Sequence, residues 1–314
     1  MPGERNRAQS RRAGFLPASF SSLCACLGLV TIKDSILRSS VLLQTPAVLY
    51  CAIDTLVPPN GKIQPGFDEF GAALDHAGIP AVWVTSRSRL QIDDPRRKMD
   101  HRHPFIAEDG CGVYLPEGYF HLPIPKTLRL GRFTCVPVAE PLPAASAALE
   151  ALSSELNVPV VPLRSLSPRE LVQNSGLPRQ QAELARHRDF DELFFFAGAS
   201  ESDIKRFVQE GRERRIELRQ HGVLWSVAIG ASLKRCVQEL SKLYARALRS
   251  NPKIVGIATP VEAVELFPAC NRNVLLQKGN GGDVDRAGGQ KGRELSLAEP
   301  NVWERLLESV ATRA

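Results

Sequence analysis

The chain has 314 residues, of which 43% are hydrophobic and 24% charged, an ordinary globular balance with room for one large or two medium domains. Its net charge of +6 comes partly from Arg5, Arg7, Arg11 and Arg12 and is otherwise scattered, which argues for solvated surface and against a nucleic-acid-binding face. The seven cysteines, Cys24, Cys26, Cys51, Cys111, Cys135, Cys236 and Cys270, include no C-x-x-C pair. That excludes a zinc ribbon and a thioredoxin-type site and reads as free thiols in a reducing cytoplasm.

Residues 1–45 run from an Arg-rich start through GFLPASFSSLCACLGLV into polar IKDSILRSS. Pro17 and the serines break the apolar part, which makes a poor secretory signal and is too short for a membrane span. The segment reads as a disordered extension or an upstream start included in the reading frame, with a targeting role as the alternative. No other long apolar run occurs, so the body is expected to be soluble and cytoplasmic.

PAVLYCAI is a continuous apolar run with the character of a strand buried on both faces. VPPNGKIQPG is a loop. FDEFGAALDHAG then sets Phe67, Phe70, Leu74 and Ala77 at helical spacing, with Gly78 just past the end. IPAVWVTS is a second buried strand, which completes a right-handed β-α-β unit with parallel strands. PFIAEDGCGVYLP reads as strand, turn at Glu108-Asp109-Gly110, and strand.

Near residue 120 the texture changes. AASAALEALSSEL and SPRELVQNSGLPRQQAELARHRDF read as helices, the second broken at Gly176-Leu177-Pro178, with Ser167 and Glu170 as a capping box. FDELFFFAG, ESDIKRFVQEGRERR and HGVLWSVAIG continue as strand, helix and strand, an α+β insertion. The doubly wound texture then returns. SLKRCVQELSKLYARAL is an amphipathic helix, KIVGIAT a buried strand and PVEAVELFPAC a short helix. GNGGDVDRAGGQKGRE is a Gly-rich charged loop expected to be mobile, and NVWERLLESVATRA is the closing helix.

PFIAEDGCGVYLPEGYF, with VTSRS before it, LARHRDFDELFFF after it and Glu-Pro-x-x-Trp at 299–303, resembles the mannosyl-3-phosphoglycerate phosphatase family of the haloacid dehalogenase-like superfamily. The similarity runs from about Pro46 to Val310. It implies a three-layer α/β Rossmannoid core at 46–118 and 224–314, an inserted α+β cap at 119–223, and an active site at the carboxyl ends of the core strands beneath the cap. The Glu108-Asp109-Gly110 turn is expected near that cleft.

The chemistry that the resemblance implies is phosphoryl transfer from a sugar phosphate. A strand-end aspartate attacks phosphorus, and a second aspartate two residues on acts as acid and base from the same strand face. Hydroxyl and lysine groups hold the phosphoryl oxygens, and Mg2+ offsets their charge. Carried over one residue at a time, Ala52 stands in the nucleophile's place and Asp54 in that of the acid/base. Thr85, with Ser86 beside it, takes the phosphate-binding position. Lys234 follows one residue out of register, and Glu262 alone remains at the metal motif with Asp54 as a second weak ligand. Strand alternation turns Cys51 to the opposite face from Ala52, so it is no substitute nucleophile. The expectation is a phosphatase-like protein that takes a sugar phosphate or other small anion, with lost or strongly reduced catalysis and doubtful magnesium binding. The alternative is an active sugar-phosphate phosphatase with a rearranged site. No nucleic-acid or membrane partner is expected.

Overall fold

The computed structural model describes residues 46–278 and 293–311. The expected N-terminal extension, Cys24 and Cys26, and the Gly-rich stretch 279–292 lie outside the described residues. The five described cysteines are free thiols.

The first sheet is built on β1 (Ala47–Ala52), which is buried at every position. On one side it pairs in parallel with β2 (Ala81–Val84), which pairs with β3 (Phe105–Ala107). On the other it pairs in parallel with β11 (Lys253–Ala258), followed by β12 (Arg272–Gln277) and β13 (Arg293–Ser296). Beyond β3 the sheet turns antiparallel through β4 (Gly112–Pro116), β6 (Phe133–Pro137) and β5 (Leu128–Leu130), so nine strands lie in the order β13-β12-β11-β1-β2-β3-β4-β6-β5.

Strand alternation divides the core into two layers. Leu49, Cys51 and Ile53 face one side and pack with Phe67, Phe70 and Leu74 of α1 (Phe67–His76) and with Val302, Trp303 and Leu306 of α9 (Val302–Ala311). Val48, Tyr50 and Ala52 face the other and pack with Leu233, Val237, Leu240 and Tyr244 of α7 (Leu233–Leu248). Each face of a parallel sheet needs such a cover, which is why β1 and β2 are apolar throughout. α2 (Arg89–Lys98) begins at a Ser88/Gln91 capping box.

The second sheet holds β7 (Val160–Pro162), β8 (Glu192–Phe196), β10 (Leu224–Ile229) and β9 (Ile216–His221) in that order, all antiparallel. α3 (Leu142–Leu156) and α6 (Glu201–Glu213) cover it through Leu149, Leu152 and Phe207 against Phe194 and Val227. α4 (Pro168–Ser175) and α5 (Arg179–Ala185) flank it, with the Ser167/Glu170 capping box in place.

The expected boundaries at 119 and 223 differ from these sheets at both ends. β5 and β6 extend the first sheet, and β10 belongs to the second. Outer strands need burial on fewer sides, so Leu128 at 42% exposure and the mixed pattern of β6 gave no continuous apolar run. β10 is the reverse case, an apolar strand paired on both edges inside an antiparallel sheet.

Candidate functional site

The register of β1 on β2 sets Ala52 beside Val84, so the two strands end together and the residues after them meet. The Asp54 carboxylate lies there. Its Oδ1 accepts hydrogen bonds from Thr85 Oγ1 and from Arg87 Nε at 3.1 Å. Its Oδ2 accepts from Ser86 N at 2.8 Å and Ser86 Oγ at 2.6 Å. Four donors occupy two oxygens, close to the capacity of a carboxylate. Arg87 is 6% exposed, and its Nη1 and Nη2 are buried without an acceptor among the described residues. Buried donors in that state are costly, and a guanidinium left so is short of an acceptor. Ala52, two residues earlier, belongs to the apolar layer beneath the site.

Of the residues singled out in the sequence, Asp54, Thr85 and Ser86 are therefore brought into direct contact. Glu262 comes close without joining them. It sits in the first turn of α8 (Pro260–Leu266), where its Oε2 accepts from Thr259 N at 3.1 Å and Thr259 Oγ1 at 2.7 Å. Burial raises its carboxyl above the usual range, and the charge of Asp54 raises it further. Lys234 is exposed near the start of α7, and the inward position beside it is held by Leu233. Cys51 is buried in the opposite layer, where burial pushes its thiol far up. Magnesium prefers six oxygen ligands in octahedral geometry. The donor set here offers two carboxylates, one saturated by protein donors and the other turned into a helix cap, so these residues do not fit the ion. Among the described residues no group of three or more His, Cys, Asp or Glu side chains could hold a metal.

A second cluster lies where the inserted sheet meets the core. Glu108, Asp109 and Gly110 all take positive φ, at 53°, 53° and 87°, which is rare for consecutive residues of which two are not glycine. Gly110 is required there, because a Cβ would come within 2.4 Å of Leu233 N. The fully buried Glu108 carboxylate accepts from the backbone N–H groups of Asp189, Phe190 and Asp191. Burial and the charge of Asp191 push it up to about 8, against the pull of Arg188. Arg188 pairs with Asp191, both almost wholly buried, and donates to Ser86 O at 2.7 Å. Burial alone would lower Arg188, but Asp191 and Glu108 outweigh it and hold the guanidinium charged. Arg89 and Tyr114 both reach Asp189 Oδ2, at 2.7 and 2.9 Å.

From β9, His221 Nε2 stands 2.9 Å from Asp109 Oδ2, and Arg219 donates to Asp109 O at 2.7 Å. Burial disfavours both charges of the His221–Asp109 pair. Their mutual attraction prevails, raising His221 and lowering Asp109. In the sequence, 108–110 falls in the stretch that carries the family resemblance and reads as a turn expected near the cleft. Arg188, Asp189 and Asp191 lie in a stretch that carries the family resemblance, but no role falls to them or to Arg219 and His221, since a buried ion pair and a solvated one look alike in a string of letters.

Sequence comparison gives relatives at low identity. A glucosyl-3-phosphoglycerate/mannosyl-3-phosphoglycerate phosphatase of Persephonella marina is 25% identical over 200 residues, 63% of this chain and 72% of its own. One of the same name from Methanococcoides burtonii is 19% identical over 218 residues, 68% and 79% of the two chains. The chain resembles the mannosyl-3-phosphoglycerate phosphatases. No known family model matches it. A Bacteroides thetaiotaomicron phosphatase of the haloalkanoate (HAD) superfamily aligns with a TM-score of 0.58 at 14% identity, over 85% of this chain and 96% of its own. A HAD subclass IIB sugar phosphatase gives 0.56 at 14%, over 85% and 100%. The mannosyl-3-phosphoglycerate phosphatase resemblance and the HAD-like fold thus stand on independent comparisons of sequence and of structure. Among the described residues no helix is long and apolar enough to cross a membrane.

Proposed function

We propose that the Asp54 end of the core sheet binds the phosphate of a sugar phosphate, of the mannosyl-3-phosphoglycerate class or a similar small anion, and that hydrolysis there is lost or strongly reduced. The observation that carries this reading is Arg87, whose two terminal amino groups are buried beside Asp54 without an acceptor. A phosphate oxyanion matches that donor fork, and charge-assisted bonds of this kind are the strong ones. Thr85 and Ser86 stand on the same loop, although their hydroxyls are donated to Asp54, and Lys234 adds positive charge from the exposed start of α7.

The case for weak turnover is also local. Ala52 presents a methyl group where attack on phosphorus needs an oxygen nucleophile. Both oxygens of Asp54 are already occupied by four donors from the protein, which leaves little room for an attacking water to bind there. Loss of a nucleophile removes many orders of magnitude in rate even where binding persists.

The test is a panel of sugar phosphates that includes mannosyl- and glucosyl-3-phosphoglycerate. Equilibrium binding and phosphate release are measured with and without magnesium. Saturable binding with release at background is expected, and Ala52→Asp alone should not raise it. Magnesium-dependent release by the unaltered protein would instead establish an active phosphatase with a rearranged site.

A further inference from the structure

The parallel strands end at Asp54, Thr85, Glu108 and Thr259, so the loops that precede β3 belong to the opposite end of the sheet. A cavity of about 560 Å³ opens there. It is bounded by the last turn of α2, residues 100–102, the turn Pro116–Tyr119, Arg132 and Phe133. That volume is in the range of pockets that take small molecules, roughly 300–1,000 Å³.

Arg96 lines this cavity and is 3% exposed. Its guanidinium carbon lies 4.4 Å from the centre of the Phe105 ring and 5.2 Å from that of Phe133. Nε donates to His101 Nδ1 at 3.1 Å, and Nη2 donates to His103 O at 2.6 Å. His101 Nε2 is 2.7 Å from Ala81 O and must donate to it, so the His101 ring is neutral and offers Arg96 no negative charge. Among the described residues Arg96 makes no ion pair, and Asp93 acts on it only from a distance. Burial and the nearby charge of Arg132 push it down to about 10, which leaves it cationic at neutral pH.

Around this fixed cation stand Arg97, Arg102 and Arg132, at 54–79% exposure. Their carboxylate partners are Asp93, Asp94 and Asp100, while Glu117 on the rim pairs with Arg129. Exposed ion pairs are weak and exchange readily for a better partner. The buried arginine is the exception, because it makes no ion pair with a carboxylate and its orientation is already fixed by two aromatic rings and two hydrogen bonds. A preorganised guanidinium at the floor of an open cavity, ringed by exchangeable arginines, is built to receive a multiply charged oxyanion.

We propose that the cavity formed by Arg96, Arg102, Arg132 and Tyr119 is a second anion site, remote from Asp54, that binds a phosphorylated small molecule. The phosphate groups lie on Arg96 and Arg132. The space left toward Tyr119 and Phe133 takes an organic body, because the cavity is too large for phosphate alone.

The experiment is calorimetric titration of the full chain with inorganic pyrophosphate at low salt. It is repeated at physiological salt, and with citrate as a carboxylate of similar charge. Expected are submillimolar binding of pyrophosphate, weaker binding of citrate, and at least a tenfold loss of pyrophosphate affinity in an Arg102→Ala/Arg132→Ala double variant. Both of those side chains are exposed, so the variant should fold as the parent does, and its melting temperature checks this. Arg96→Met should abolish binding at this site. Arg87→Gln, which alters only the Asp54 end, should leave the Arg102/Arg132-dependent heat unchanged. Retained affinity and stoichiometry in the double variant overturn the proposal, as does the absence of binding to the parent protein.

Discussion

The two ends of the core sheet hold similar side chains in opposite states. At the carboxyl end, Asp54, Glu108, Asp109 and Asp191 are each held by arginine, histidine, hydroxyl or backbone donors from the same chain. Among the described residues the outstanding polar capacity there is small and specific, the terminal amino groups of Arg87 and Oδ2 of Asp109, which has His221 at 2.9 Å but makes no hydrogen bond of good geometry. At the amino end, a wide cavity exposes arginines whose partners are weak, and a buried Arg96 that among the described residues makes no ion pair. A cleft's place in a fold therefore says where chemistry is expected, whereas the hydrogen-bonding capacity left over says what remains to be bound.

The comparison is broken most forcefully at Arg188. Arg188→Met leaves Glu108 and Asp191 buried together without their cation, and breaking a buried pair in this way costs about 3–5 kcal/mol. Denaturant unfolding should show a loss of that size. A change below about 1 kcal/mol would mean that the carboxyl-end network is not closed on itself.

Asp54→Ala tests the same closure from the side of binding. It frees Thr85, Ser86 and Arg87 to serve a ligand, so affinity for inorganic phosphate should rise about tenfold, equivalent to about 1.4 kcal/mol. A fall in affinity would show that Asp54 is a contact for the ligand and not its competitor.

A smaller effect is expected at the joint between the sheets. His221 has its pKa raised in the folded protein, so the stability it contributes is complete below its ordinary value near 6.5 and is lost as pH rises through the raised one. Asp109, with a lowered pKa, loses its share only in acid. The stability difference between the parent and His221→Asn should be about 1 kcal/mol near pH 6 and should shrink steadily toward pH 9. Thermal unfolding across that interval measures it, and a difference that grows with pH would contradict the charged pair. Smallest of all, Lys234→Ala should weaken phosphate binding by less than about threefold, the effect of an exposed charge acting through solvent. A larger loss would place its ammonium on the ligand.

How much of this was legible in the sequence followed burial. β1, β2, α1, α7 and β11 were readable because two-sided burial forces an apolar text or a helical stripe. α2 escaped because RLQIDDPRRK is polar and contains Pro95, although Ser88 and Gln91 had spelled its cap. β9, with IELRQH, escaped because none of its residues is fully buried. In the candidate site, resemblance and a strand-end position single out Asp54, Thr85 and Ser86, which the structure brings into contact. Arg87 was passed over next to them, since nothing in its letter tells a solvated arginine from one whose Nη atoms are enclosed.

The stretch from Arg188 to Asp191 has a consequence in time as well as in energy. It returns from the inserted sheet to touch Ser86, Glu108 and Arg89, while the chain itself passes between the two sheets near 138–141 and 230–232. Swinging the inserted sheet away would uncover Glu108, Arg188 and Asp191 together, so open forms are rare. The Asp54 side chain keeps 28% of its surface exposed with that sheet closed, so a small anion of the kind proposed can reach it without such an opening. Exchange of a small anion at either end of the core sheet should then follow diffusion and ionic strength, not motion of the inserted sheet.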